Sequence, residues 1–198
     1  FGEMDSSPFM GIAVATGSQV EIVHGWGRKQ APTLQSRLET IDTGGNVRGL
    51  AAGFFIWNRE GSKQLAALGE DGTIRILQRG QANTQPFSEA ELAARARLRF
   101  KQEKAPVDVE TVQGWRAAQA EPWSRVREVI TGNVVGADAN SQNLLLRAHV
   151  SFVSTDDLLV LGANQQRLDI VRQVDATAGP QTNVKTTAGD MVLTSLNT

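Results

Sequence analysis

His24 and His149 are the two imidazoles among 198 residues, and cysteine is absent. An imidazole can serve as general base or metal ligand, but each of these stands alone, at a predicted strand end or inner strand. No H-E-x-x-H, G-x-S-x-G or G-x-x-x-x-G-K-[ST] segment accompanies them, so no recognised nucleophile, zinc or phosphate motif is present. Without thiols, disulfides and thiolate metal sites are excluded. Asp156 and Asp157 form a carboxylate pair, yet neighbours on a strand point to opposite faces, which argues against a general acid/base dyad. Gly69-Glu70-Asp71-Gly72 reads as a hairpin turn, with Asp-Gly fitting type I′, and not as a phosphate cradle. The expectation is a protein that is not an enzyme.

Binding chemistry is better represented. Trp26, Trp57, Trp115 and Trp123 could stack on sugar rings or pack between strands. Packing is the plainer reading; Trp26 and Trp57, in or beside loops, are the candidates for a glycan ligand. Arg95, Arg97, Arg99, Lys101 and Lys104 form a basic run. They spread around a predicted helix without interleaved aromatics, so a solvated face is expected, with Arg95 and Arg99 kept as partner candidates. A net charge of −1 offers no bulk attraction to nucleic acid or anionic lipid. No apolar run reaches the roughly 18 residues of a membrane-spanning helix.

The elements that must position these groups recur. Phe1–Gly25, Gly53–Gly80 and Arg147–Gln173 each run from a turn-rich loop into an apolar strand (IAVAT, LAAL, LLVL). A polar turn (GSQ, EDGT, ANQQ) and an alternating strand (VEIVHG, IRILQRG, RLDIVRQ) follow. Ile12, Leu65 and Leu158 hold the same place in the three copies. Such self-similarity marks a repeat architecture, and a unit of about fifty residues with four strands is the size of a propeller blade. The predicted hairpin strands are 11–16, 19–24, 64–68, 73–78, 157–161 and 167–172. Inner strands are expected at 46–55 and 144–150, and outer strands at 34–41, 123–131 and 183–187.

Copy one resembles an FG-GAP repeat (the VCBS or integrin-α-type repeat). Phe1-Gly2-Glu3-Met4-Asp5-Ser6-Ser7 followed by Gly11-Ile12-Ala13-Val14-Ala15 matches its loop and strand, Gly53-Phe54-Phe55 keeps part of the motif in copy two, and Asp157-Leu158-Leu159-Val160 keeps its end in copy three. The resemblance implies a β-propeller, and Ca²⁺ held by loop carboxylates. Ca²⁺ needs about six to eight oxygens. Copy one supplies Glu3, Asp5 and Ser7, with Gly11 where the last Asp belongs. Copy two supplies Phe54, Ile56, Asn58 and Gln64, and copy three His149, Ser151, Val153 and Asp157. A weak Ca²⁺ site at Glu3, Asp5 and Ser7 is the one metal candidate. Loops held by Asx-type and backbone hydrogen bonds, with no cofactor, are the expectation.

The predicted fold class is all-β: about three four-stranded antiparallel propeller-like blades with a helical insertion. The chain reads as a partial propeller over 1–198, with blades at 1–45, 46–133 and 134–190 and the start of a further blade at 191–198. The insertion, 86–120, falls within blade two. Ser88-Glu89-Ala90-Glu91 is a capping box, opening a helix over 88–103 docked by Leu92, Ala96 and Phe100. A second helix over 108–118 would bury Val109, Val112 and Trp115. Three blades fall short of a ring, so apolar surface near Ile12, Val14, Leu159 and Val160 needs cover. Further blades of the same protein, or a protein partner, would supply it. The functional expectation is a binding or scaffold module presenting loops to a protein or glycan, in the bacterial envelope or outside the cell. The alternative is a structural subunit locked into a larger assembly through open blade edges and the insertion.

Overall fold

The computed structural model describes residues 10–25, 38–59, 62–80, 83–102, 123–130, 144–151, 154–161, 167–173 and 191–197. Apolar residues alternating with polar ones make short strands, and small turns fold consecutive strands onto each other as antiparallel neighbours. The first sheet is β1 (Ile12–Thr16), β2 (Gln19–Val23) and β3 (Leu38–Asp42), in that order. The second is β4 (Val47–Gly53), β5 (Gln64–Gly69), β6 (Thr73–Arg79) and β7 (Trp123–Ile130). One helix, α1 (Glu89–Gln102), lies in the connection between β6 and β7, and β7 still pairs with β6 across the whole insertion. The third sheet is β8 (Leu144–Ala148), β9 (Asp157–Leu161), β10 (Arg167–Gln173) and β11 (Met191–Asn197).

β11 corrects the expected layout. Met191–Asn197 pairs with β10 along its full length, Met191 opposite Gln173 and Asn197 opposite Arg167. It is therefore the fourth strand of the third sheet and not the beginning of a further blade. An open edge of backbone N–H and C=O groups along β10 needs partners, and 191–197 supplies them. The expected outer strand 183–187 and second helix 108–118 lie outside the described residues. Gly69-Glu70-Asp71-Gly72 is the predicted turn but not the predicted type. Gly72 N donates to Gly69 O at 3.0 Å, and Gly72 itself takes φ +75° at the fourth position. That is a turn closing on Gly69, with a left-handed glycine after it.

The three sheets stack face to face with the second in the middle. Alternation along β5 assigns its two faces: Leu65 and Ala67 pack toward Val20, Ile22 and Ile41 of the first sheet. Ala66 and Leu68 pack with Leu145, Leu158, Val160 and Val171 of the third. Ile12, Leu65 and Leu158 face Val23, Leu77 and Val171 across their hairpins. β1 lies beside β4, and β4 beside β8. The approach of β4 to β8 is tight: a Cβ on Gly49 would stand 2.9 Å from the Cβ of Leu145. Among the described residues, the place that β4 and β8 take beside β5 and β9 is unfilled beside β1.

The four residues expected at uncovered faces divide. Val160 is fully buried against the second sheet, whereas Ile12 and Val14 are 39% and 46% exposed. Leu159, one residue from Val160, points to the opposite face and is half-buried. Strand alternation sends residues adjacent in sequence to opposite faces.

Candidate functional site

The loops between β4 and β5 and between β8 and β9, together with the segment leading into α1, meet at one end of the stacked sheets. The opposite end carries the tight hairpin turns, strapped by Val47 N to Gly17 O at 2.8 Å and Glu70 N to Asn46 O at 2.9 Å.

Each long loop is clamped by the first residue of the strand that follows it. Gln64 is fully buried, and its Oε1 accepts from the Phe55 and Ile56 N–H groups at 2.7 and 3.1 Å. Its Nε2 donates to Ile56 O at 2.9 Å, Ser62 O at 3.0 Å and Gln78 Oε1 at 3.3 Å. Asp157 does the same work in the third sheet. Its Oδ2 accepts from Val150 N and Ser151 N, both at 2.7 Å, and its Oδ1 from Ser151 Oγ at 2.6 Å. Asn58 folds a smaller turn inside the first loop, accepting from Ser62 N at 2.8 Å. Buried polar groups of this kind must be satisfied, and here side-chain and backbone groups satisfy one another.

The two loops are joined reciprocally. Phe54 N donates to Asp156 Oδ2 at 2.8 Å, and Asp156 N donates to Phe54 O at 2.7 Å. Asp156 and Asp157 thus serve opposite faces, one as a bridge between loops and the other as a clamp.

A docking point for the insertion sits on the first loop. Trp57 meets Phe87 edge-on, centroids 5.7 Å apart at 86°, and the guanidinium of Arg59 lies 4.4 Å over the same ring. Arg59 also pairs with Glu91, and Arg59 N donates to Asn83 O at 2.8 Å. The capping box forms as expected: Ser88 N donates to Glu91 Oε2 at 2.8 Å, and Glu91 N to Ser88 Oγ at 3.4 Å. The Ser88 N–H, then Arg59 and the Ser88 hydroxyl, bring the Glu91 carboxyl down to about 2. Two of the three expected docking residues of α1 are not buried: Leu92 is 52% exposed and Ala96 is exposed too. The side chain of Phe100 lies outside the described residues. The cap and the Arg59–Phe87 contacts tie the start of the helix to the first loop.

A second polar cluster lies between the first and second sheets. His24 Nε2 is 3.3 Å from Glu39 Oε2, Trp123 N donates to Glu39 Oε1 at 2.7 Å, and Arg79 Nη2 is 3.5 Å from Oε2. Burial pushes the Glu39 carboxyl up. The His24 hydrogen bond, the Trp123 N–H and the Arg79 charge outweigh it, and the net shift is downward. Glu39 of β3 is thus joined to β7, the outer strand of the second sheet, through the Trp123 N–H, while His24 holds its other oxygen from the end of β2 in the first sheet.

Of the candidates from sequence, Trp57 is at the loop end, half-buried and engaged with Phe87. Arg95 and Arg99 lie on α1, with side chains outside the described residues, as do Glu3, Asp5, Ser7 and Trp26 altogether. Among the described residues no three His, Asp or Glu side chains converge on a point that could hold a metal ion. At Gln64 and Asp157, positions carried over as cation ligands, every side-chain oxygen accepts a hydrogen bond from the loop. Comparison with family models, characterised proteins and solved structures returns no match. Sequence reasoning missed the clamp at Gln64 and the docking pair Arg59–Phe87. The usable signal for the first was its alignment with Asp157, two hydrogen-bonding residues at one repeat position.

Proposed function

We propose that the chain is a non-catalytic binding or scaffold module of propeller-type blades that presents its loop end to a protein or glycan partner. The observation that carries this reading is the order of the stack. Each sheet turns equivalent residues toward the next, with β1, β4 and β8 side by side, as blades around a channel do. The long loops and the insertion then share one end, on a rigid base, which is where binding residues concentrate. The envelope or extracellular location rests on the family resemblance.

The test uses loop positions that leave the clamps intact. A variant combining Trp57→Ala, Lys63→Ala and His149→Ala is compared with the parent chain on a glycan array and a displayed peptide library. The expected result is binding by the parent that the variant loses, with an unchanged strand signal in circular dichroism. Absence of any loop-dependent binding on both arrays would overturn loop presentation. The second reading, a structural subunit of a larger assembly, is favoured by the two uncovered sheet faces.

A further inference from the structure

The outward face of the first sheet and the outward face of the third are not alike. Ile12, Val14 and Val23 line the first, and their equivalents Leu65, Ala67 and Leu77 in the second sheet are buried against the sheet before it. Leu158, Val160 and Val171 in the third sheet are buried the same way. Leu146, Leu159 and Ile170 line the outward face of the third sheet, and their equivalents Ala51, Ala66 and Ile76 are buried against the sheet after it. One outer face is therefore the front half of an interface the chain builds twice, and the other is the back half. Among the described residues both carry exposed apolar side chains: Val14 and Leu146 are each 46% exposed and Ile12 and Leu38 each 39%, with Leu159 and Ile170 half-buried.

We propose that a second copy of this chain covers them, the third sheet of each copy docking on the first sheet of the other. The contact is head to tail, joining two different surfaces, and such contacts close into a ring when the rotation allows. Three sheets among the described residues of each copy make six in a pair, within the about four to eight blades of a propeller. The charges are opposite and so complementary: the alternation puts Arg172 on the third sheet's outer face and Glu21 and Asp42 on the first sheet's. The two-copy closure rests on the blade reading above, whereas the contact itself rests on the equivalences.

Sedimentation velocity over a concentration series, with two exposed-position variants, tests this. The parent chain is expected to form dimers. Val14→Asp and Leu146→Asp are each expected to be monomeric with unchanged circular dichroism, because each disables one half of both contacts. Mixed together they should form a one-to-one dimer through the single intact pair of faces. A parent chain that stays monomeric at every concentration would overturn the interface while leaving loop binding untouched. A Val14→Asp chain that dimerises as the parent does would show a symmetric contact and overturn the head-to-tail arrangement. Species larger than two copies would overturn the closure and the blade reading on which it rests.

Discussion

Gln64 shows how much a single buried amide can organise. Its two ends reach five partners across the loop and β6, and an unmade hydrogen bond at a buried donor is costly. Gln64→Ala strands the Phe55 and Ile56 N–H groups, and should lower stability by about 2–4 kcal/mol, read as a drop in the urea midpoint at constant slope. A shift under about 0.5 kcal/mol would mean that water replaces the amide. Glu39 makes a prediction in pH. Its carboxyl is held below the ordinary 4.5 despite burial, by His24, Trp123 N–H and Arg79. The folded state thus binds this proton less readily than the unfolded chain. The stabilisation is present above the unfolded value and is lost as pH falls through the folded one. Urea midpoints of the parent should therefore fall more steeply below pH 4.5 than those of Glu39→Gln. Parallel curves would contradict this role for Glu39.

The elements divide into those set by pairing and those set by polar anchors. β6 and β7 stay in register from Thr73–Ile130 to Arg79–Trp123, with one irregularity between Ile76 and Leu77, although the insertion separates them. α1 is instead attached by Arg59, Phe87 and the Ser88 cap, with Leu92 in solvent. Exposed ion pairs contribute about 0–1 kcal/mol, and a cation–π contact about 0.5–1 kcal/mol. A chain lacking residues 87–119 should accordingly keep its strand signal and a cooperative melt, lose its helical signal, and be less stable by about 1–2 kcal/mol. Loss of the strand signal in circular dichroism would show that the insertion holds the second sheet together.

For the whole molecule, the middle sheet carries the stability. Leu65, Leu68, Ile74, Ile76 and Leu77 are all fully buried there, as is Phe55 in the loop after β4, each side chain worth about 1.5–3 kcal/mol on removal from water. The loops on this base are closed by their own side chains, so cations are not needed to shape those between β4 and β5 or β8 and β9. Millimolar Ca²⁺ should leave the melting temperature almost unmoved. A ligand at 100 times its dissociation constant adds about 2.7 kcal/mol, which would raise the melt by several degrees. Such a rise would point to the Glu3, Asp5 and Ser7 site.

The hairpins around Ile12–Val23, Leu65–Leu77 and Leu158–Val171 were legible from residue order, because period-two alternation and turn residues are local properties of the chain. So was the Ser88–Glu91 cap, whose two ends are three residues apart. The partner of β10 was not. Residues 183–187 and 191–197 both have strand character, and a choice between them depends on which one reaches the open edge. Nor could sequence tell that Gln64 clamps a loop, that Leu92 stays in solvent, or that Val160 is buried while Val14 is not. Each of those outcomes depends on what stands opposite the side chain, and in a stack of sheets the opposite residue comes from a distant part of the chain.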